Sequence, residues 1–164
     1  MAKPTSSSTA APSLDFVQVN PQGADALALL REAAIEAREL YPDSFPPGTP
    51  WPVNSPTPER GIYLVGYSDG KPVACGALRP IDADCVEVRR MFVTADSRRK
   101  GLARAMLQEL ESRAADFGYS VMQLETGNRQ LSAITLYESL GFKPIAPFGE
   151  YANDPLSVCF EKIV

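Results

Sequence analysis

A basic, glycine-containing turn lies between an alternating segment and a helical pattern, and it is the part of the chain best suited to bind a ligand. The turn reads RRKG at residues 98–101, directly before the apolar helical pattern that starts at Leu102. A helix start leaves backbone N–H groups unpaired and carries the positive end of the helix dipole. Gly101 lets the backbone approach a ligand without an intervening Cβ atom. The order of these features predicts a site for a phosphate or pyrophosphate.

Two common phosphate-binding motifs, G-x-x-x-x-G-K-[ST] and G-x-G-x-x-G, do not occur in the chain. The pattern R-x-x-G-x-A at residues 98–103 instead resembles the R/Q-x-x-G-x-G/A signature of the GNAT superfamily of N-acetyltransferases. In that family the turn and helix start hold the pyrophosphate of acetyl-coenzyme A, which is the acyl-donor substrate. The resemblance implies donor contacts from Arg98, Arg99, Lys100, Gly101, Leu102, Ala103 and Arg104. A solvated basic turn that happens to contain glycine is the alternative interpretation.

A second match to the same family lies downstream. Residues 133–142, AITLYESLGF, resemble the family pattern A-x-x-L-Y-x-x-x-G-F. The tyrosine at that position commonly protonates the departing coenzyme A thiolate, so the resemblance implies that Tyr137 is a general acid. A phenol can donate its proton as negative charge develops on sulfur. The alternative is that Tyr137 is a core residue, because it lies on the apolar face of its helix.

The chain departs from the family pattern just before this motif. The family often has an asparagine three residues before the alanine of the motif, where this chain has Gln130. Asn128 lies two residues earlier. Both side chains carry an amide that can hydrogen-bond the donor, so either could make this contact.

Acyl transfer to an amine requires a neutral amine, and a free alkyl amine has a pKa near ~10. A carboxylate can accept the extra proton, often through water. In the family an acidic residue on the strand before the basic turn often has this role, and Glu87 matches it. Strict alternation predicts that Glu87, Arg89, Met91 and Val93 share one face of that strand. The alternative is that Glu87 pairs only with a cation such as Arg89.

The resemblance also assigns a role to the backbone of Met91, Phe92 and Val93. Family members pair this part of the strand with the pantetheine arm of the donor, as if that arm were another strand. The acceptor site is less visible in the sequence. Arg79 and Arg89 could bind a carboxylate of an amino-acid acceptor, and Trp51 in the proline-rich segment could cover the site. The alternatives are that the two arginines only carry charge on the sheet surface and that the proline-rich segment is a plain surface crossover. Acidic residues such as Glu150 and Asp154 would instead suit a polyamine or a protein lysine.

The elements that must position these residues follow from periodicity. Strands are predicted over 16–19, 62–67, 72–78, 86–93, 121–125 and 156–160, and helices over 26–41, 102–117 and 133–140. Ser68-Asp69-Gly70 has hairpin-turn chemistry. The two later helices each lie between strands, which predicts parallel neighbours around each of them. We therefore expect an α/β protein with the GNAT fold, in which helices cover both faces of a mixed central sheet.

The tail at residues 1–14 is rich in Ser, Thr, Ala and Pro and is predicted to be disordered, whereas residues 15–164 form the predicted acetyltransferase domain. The net charge of −4 argues against nucleic-acid binding. No apolar run is long enough to span a membrane, and a homodimer is an open expectation. The chain has no histidine, which predicts that it has no metal site. Its three cysteines lack C-x-x-C spacing, which predicts buried thiols in a reducing, cytoplasmic compartment.

These observations predict an acetyl-CoA-dependent N-acetyltransferase that transfers an acetyl group directly to a primary amine. A small-molecule acceptor, such as an amino acid or a polyamine, is the first expectation. Two alternatives remain at this point. One is an acetyltransferase for lysines or N-termini of proteins and peptides, and the other is a coenzyme A sensor without turnover.

Overall fold

The computed structural model describes residues 14–164 of the 164-residue chain. The predicted disordered tail at residues 1–14 therefore lies outside the described residues, except for its last residue. Leu14 is only 9% exposed and belongs to the main hydrophobic cluster. Leu14, which the predicted tail includes, is therefore a packed residue of the domain.

One seven-stranded mixed sheet forms the centre of the molecule. Its strands are β1 (Asp15–Gln18), β2 (Ile62–Ser68), β3 (Lys71–Pro80), β4 (Cys85–Val93), β5 (Val121–Gly127), β6 (Lys143–Ile145) and β7 (Ser157–Ile163). Its helices are α1 (Ala24–Leu40), α2 (Leu102–Asp116) and α3 (Leu131–Ser139). The strand order is β1-β2-β3-β4-β5-β7-β6, and only β4 and β5 are parallel neighbours.

The two faces of the sheet are covered by different helices. The apolar face of α2 and Tyr137 of α3 belong to the larger buried cluster on one face. Ala26 and Leu29 of α1 pack on the other face with residues of β2 and β3. The prediction of a mixed sheet with helices on both faces is therefore confirmed.

The hairpin between β2 and β3 forms as its turn residues predict. Asp69 and Gly70 both have positive φ, at 49° and 77°, and Ser68 pairs with Lys71. Two consecutive residues with positive φ twist the turn in the direction that adjacent antiparallel strands require. This short turn sets the register that brings β3 beside β4.

One prediction about connectivity is wrong. The strand order predicted parallel neighbours around the second of the two later helices, but β5 and β7 are antiparallel. The reason is the three-residue strand β6, which the sequence analysis missed and which lies between α3 and β7 in the chain. Pro144 cannot donate a backbone hydrogen bond, and it is accommodated because β6 is an edge strand.

The proline-rich segment between α1 and β2 is irregular apart from a single 3-10 turn at Pro42–Ser44, as predicted. The Arg38 guanidinium of α1 donates to the carbonyls of Thr49 and Pro50 at 3.0 Å each. Asn54, buried at 5% exposure, donates from its amide to the Pro21 carbonyl at 2.8 Å. These contacts fix the segment against α1 and the sheet without regular secondary structure.

All three cysteines, Cys75, Cys85 and Cys159, are free and buried on strands, which confirms the prediction of buried thiols. Burial raises the pKa of the Cys75 thiol to about 12, so this thiol stays protonated at neutral pH. Within residues 14–164, no helix is long and apolar enough to cross a membrane.

Candidate active site

The parallel strands β4 and β5 separate at the centre of the sheet. They pair only from Cys85–Val88 on β4 to Val121–Leu124 on β5, although both strands continue. Beyond Val88, the edge of β4 that faces β5 has no strand partner among the described residues, whereas its other edge still pairs with β3. An unpaired strand edge can accept a ligand that hydrogen-bonds like another strand.

A β-bulge in β4 lies directly beyond this split. Ala77 of β3 pairs with Arg89, but Cys75 pairs with Phe92, so β4 contains one extra residue. Arg90 has a φ of 60°, which is rare for a residue with a side chain. On β3, a Cβ at Gly76 would lie 3.1 Å from the Met91 sulfur and 2.7 Å from Leu110, so glycine is needed there.

The bulge changes which face the residues of β4 present, and the predicted strict alternation is wrong beyond Arg89. Met91 packs on the α2 side of the sheet and Phe92 packs on the α1 side with Cys75. Arg90 also lies on the α1 side, where its Nε donates to Asn54. Arg89 and Arg90 are consecutive, yet both face the α1 side, which a regular strand would not allow.

The start of α2 is open, as the basic turn predicts. Gly101 precedes the helix with a φ of 78°, and a Cβ added there would meet nothing within 4 Å. Arg99 also has positive φ, at 63°. Arg98, Arg99, Lys100 and Arg104 are all exposed around this turn. Left-handed residues next to free helix N–H groups form a concave anion site, and the exposed cations add formal charge to it.

The residues of the predicted donor site differ in which groups they can present to a ligand. Arg98 pairs with Glu36 of α1 and donates from Nε to the Val93 carbonyl at 3.1 Å, and Arg104 donates to Ser139 of α3 at 2.8 Å. The side chain of Leu102 is buried at 3% exposure. Leu102 can therefore contribute only its backbone N–H to a ligand at this turn.

Tyr137 is buried at 6% exposure on α3, and its ring lies 6.0 Å from that of Phe142 and 6.1 Å from that of Phe160. Burial raises the pKa of its phenol to about 12, with a further contribution from the negative charge of Glu125. The phenol is therefore fully protonated at neutral pH. Tyr137 is thus both a core residue and a proton-bearing group at the side of β5.

Glu87 lies on β4 just before the split and is 7% exposed. Its carboxylate accepts a hydrogen bond from the Tyr151 hydroxyl at 2.8 Å and pairs with Arg89 at 3.3 Å. Arg89 also pairs with Glu150 at 3.0 Å, and this hydrogen bond lowers the pKa of Glu150. The structure thus gives Glu87 the cation partner that the sequence analysis considered, and adds a contact from the loop between β6 and β7.

The sequence analysis missed a second carboxylate at the split. Glu125 is the first residue of β5 beyond the last pair with β4, and it accepts one hydrogen bond, from Ser157 at 3.2 Å. Burial raises the pKa of its carboxyl. The available sequence signal was a single acidic residue in an otherwise uncharged strand, but its importance depends on where β4 and β5 separate.

A groove of about 480 Å³, which we call the helix groove, runs between α1 and the bulge. Met91 and Phe92 line it on the sheet side, and Gln130 lines it at the start of α3. Asn128 is exposed and is not part of this lining. The structure therefore brings Gln130, rather than Asn128, to the residues of β4 that were predicted to contact the donor.

A second groove of about 200 Å³, the arginine groove, lies on the same side of the sheet. Arg79, Arg89 and Arg90 line it together with Asn54, Ser55 and Thr57 of the proline-rich segment. Arg79 and Arg89, both predicted to bind the acceptor, are therefore brought together. Arg90 lines both grooves.

The structure does not bring Trp51 to either groove. Its ring lies between two guanidinium groups of α1, with Arg31 at 3.4 Å and Arg38 at 3.6 Å from the ring centroid. Such stacking is favourable because the cation faces the negative face of the ring. Trp51 holds the proline-rich segment against α1, and its predicted contact with the substrate has no support in this arrangement.

Comparisons with known proteins agree with this architecture. The sequence model of the Acetyltransferase (GNAT) family matches residues 29–142. An IAA acetyltransferase of Azospirillum brasilense is 41% identical over 102 residues, which cover 61% of this chain and 66% of that protein. An uncharacterized N-acetyltransferase of Bacillus subtilis is 40% identical over 108 residues, which cover 63% of this chain and 72% of that protein. The match to the first relative thus spans slightly less than two thirds of its length.

Solved structures share the whole fold. A proposed acyl-CoA N-acyltransferase of Klebsiella pneumoniae superimposes with a TM-score of 0.76 at 29% identity, over 93% of this chain and 98% of that one. A Bacillus subtilis acetyltransferase in complex with CoA superimposes with a TM-score of 0.67 at 16% identity, over 93% and 99% of the two chains.

The split sheet and the open helix start lie in a fold that matches the folds of solved acyltransferases. The chain belongs to the GNAT acetyltransferase family. The predicted family and the predicted GNAT fold are therefore confirmed.

Proposed function

We propose that the protein transfers an acetyl group from acetyl-CoA directly to the primary amine of a small molecule, such as an amino acid or a polyamine. The observation that carries this proposal is the juxtaposition of two features: the unpaired edge of β4 beyond Val88, and the open, cationic start of α2. The strand edge can pair with an extended, amide-containing arm, and the helix start can bind a pyrophosphate. Acetyl-CoA has both parts.

In this proposal the donor's pyrophosphate binds the backbone N–H groups around Gly101, Leu102 and Ala103. The exposed side chains of Arg99, Lys100 and Arg104 supply positive charge. The pantetheine arm pairs with the backbone of Met91–Val93, and the amide of Gln130 contacts it from the start of α3. Arg98 fixes the turn to β4 and α1 through its contacts with Val93 and Glu36.

Glu87 and Tyr137 carry the proton transfers. Glu87 accepts the proton that converts the acceptor's ammonium group to a neutral amine, directly or through water. The amine nitrogen then bonds to the acetyl carbon, the carbon–sulfur bond breaks, and the second amine proton is released as the amide forms. Tyr137 donates its phenolic proton to the departing thiolate, and solvent returns it. Its raised pKa keeps that proton available throughout the neutral range.

Free cysteines on three strands support action in a reducing compartment such as the cytoplasm. The proposed function is tested by incubating the purified protein with acetyl-CoA and a panel of small amines while free coenzyme A thiol is measured. Thiol release that depends on a particular amine, together with the acetylated amine in the product mixture, is expected. Tight binding of acetyl-CoA without thiol release on any amine would overturn the proposal in favour of a sensor, and release only with peptide acceptors would move the acceptor class to proteins.

A further inference from the structure

The arginine groove has an unusual charge balance for a protein with a net charge of −4. Three arginines, Arg79, Arg89 and Arg90, contribute to its lining, and no Asp or Glu does so within residues 14–164. The remaining residues, 1–13, contain no Asp or Glu either. At the groove, Glu87 and Glu150 both pair with Arg89, so the three guanidinium groups are matched by two carboxylates and one positive charge is left uncompensated. The groove is therefore electrostatically suited to a negatively charged ligand.

Each arginine keeps donors available for such a ligand. The guanidinium of Arg79 forms no ion pair or hydrogen bond with the described residues, and its side chain is exposed at the groove. Arg89 makes all of its polar contacts, to Glu87, Glu150 and Tyr151, through the single atom Nη1. Its Nε and Nη2 atoms are therefore free to donate to a ligand.

Arg90 lies in the groove because its backbone adopts an unfavourable conformation. Its positive φ and the bulge turn it to the same side as Arg89, whereas regular alternation would send it to the opposite face. Its Nε donates to Asn54 at 2.9 Å and its Nη2 to the Val53 carbonyl at 3.2 Å, so its position is fixed while Nη1 remains free. Burial and the neighbouring charge of Arg89 lower the pKa of Arg90. A bound anion would compensate for the burial of this charge and for its repulsion by Arg89.

We propose that the arginine groove binds a carboxylate of the acceptor, so that the enzyme acetylates amines that carry a carboxylate, such as amino acids, in preference to amines without one. This inference rests on the proposed acetyltransferase function, and it decides between the amino acids and the polyamines left open above. A polyamine would bring further positive charges toward three arginines. An amino acid brings the planar, two-oxygen group that a guanidinium binds best.

The test compares three forms of the same acceptor: an α-amino acid, its carboxamide and its decarboxylated amine. Several side chains are used, and each rate is expressed per concentration of neutral amine, because the three ammonium groups have different pKa values. Wild-type enzyme is expected to show a kcat/KM for the amino acid at least about 10-fold above those of the other two forms. Equal or faster turnover of the decarboxylated amine would overturn the inference while leaving the proposed function intact.

The Arg79→Gln variant removes one charge at an exposed position on β3, and Lys71→Gln removes one charge from the other end of the same strand. Arg79→Gln is expected to raise KM for the amino acid about 10-fold or more and to leave the KM for acetyl-CoA and the turnover of the decarboxylated amine nearly unchanged. Lys71→Gln should change none of these values. An equal loss on all three acceptors in Arg79→Gln would contradict carboxylate recognition.

A binding experiment keeps the inference testable if no amine is turned over. The N-acetylated amino acid retains the carboxylate and needs no catalysis, so it is titrated calorimetrically into wild-type protein and into Arg79→Gln. Binding to wild type that is weakened about 10-fold in the variant would support the groove even if the proposed function fails. An absence of binding to wild type, or equal binding to both proteins, would overturn it.

Discussion

The predicted donor site and the proposed acceptor site of this protein are built in different ways. The predicted donor site is a run of consecutive residues, 98–104, at one turn and one helix start. The arginine groove is assembled from three strands and the proline-rich segment, and its arginines are separated by up to 11 positions in the chain. A local site can be recognised from a short pattern, whereas a dispersed site becomes visible only when strand register and loop placement are known.

The largest expected effect concerns Tyr137, the proposed general acid. Phe retains the ring contacts with Phe142 and Phe160 and removes only the hydroxyl. Tyr137→Phe should lower kcat by about 10²–10⁴-fold, the usual range for a positioned general acid. The KM for acetyl-CoA should change far less, because the interaction develops in the transition state.

Tyr119→Phe is a matched control for this prediction. Tyr119 is also buried, and its hydroxyl donates to the Arg60 carbonyl at 2.8 Å, away from the split. It should lower the melting temperature and leave kcat per folded molecule unchanged. If Tyr137→Phe behaves like Tyr119→Phe in both measurements, Tyr137 is a core residue only.

The next largest effect is expected on acetyl-CoA binding, from substitutions of Gly101 in the predicted donor site. Gly101→Asp places a negative charge at the open helix start, where a pyrophosphate is proposed to bind, and should weaken acetyl-CoA binding by about 10–100-fold. Gly101→Asn has nearly the same shape and tolerates positive φ equally well, so it separates charge from backbone strain. Calorimetric titration of both variants should show a much smaller loss for Asn. Equal losses would mean that the backbone, not the charge, explains the effect, and unchanged affinity in both would remove the phosphate site from this turn.

The two carboxylates at the split give a smaller effect that depends on pH. Glu87→Gln should lower kcat/KM about 10-fold or more at neutral pH, and less at high pH, where more of the amine is already neutral. Glu125→Gln is compared in the same experiment. Because burial raises the pKa of Glu125, a rate that depended on its ionised form would fall, as the pH is lowered, at a higher pH than for an ordinary glutamate.

These pH profiles show which of the two strands, β4 or β5, carries the base. A pH-dependent loss in Glu87→Gln with a near-normal Glu125→Gln supports the base on β4. The reverse result would place the base on β5 and leave Glu87 with its contacts to Arg89 and Tyr151 as a structural residue.

The smallest effect tests the placement of Trp51. Trp51→Ala removes its stacking with Arg31 and Arg38, which should lower the free energy of unfolding by about 1–2 kcal/mol, measured by urea denaturation. The KM for the acceptor should change little, because Trp51 lines neither groove. A large rise in that KM at unchanged stability would restore the original prediction that Trp51 contacts the substrate.

The sequence allowed most of the fold to be predicted because its strands and helices have clear periodicity and its turns have typical residues, such as Asp69 and Gly70. The strand β6 could not be predicted, since three residues that include a proline show no periodicity. The bulge could not be predicted either, because Arg90 adopts positive φ without a glycine to mark it. That one bulge decides which side chains share the arginine groove, so the acceptor side was only partly visible in the sequence.

The central claim, direct acetyl transfer to a small amine, is tested most directly by the fate of the acetyl group itself. Purified protein is incubated with trideuterioacetyl-CoA and an amino acid, and both the small-molecule products and the intact protein are analysed by mass spectrometry. The account predicts an amino acid that carries the deuterated acetyl group on its nitrogen, formed in step with free coenzyme A, and a protein mass that does not change at any time. Labelled protein without acetylated amino acid, or no labelled product at all, would contradict it.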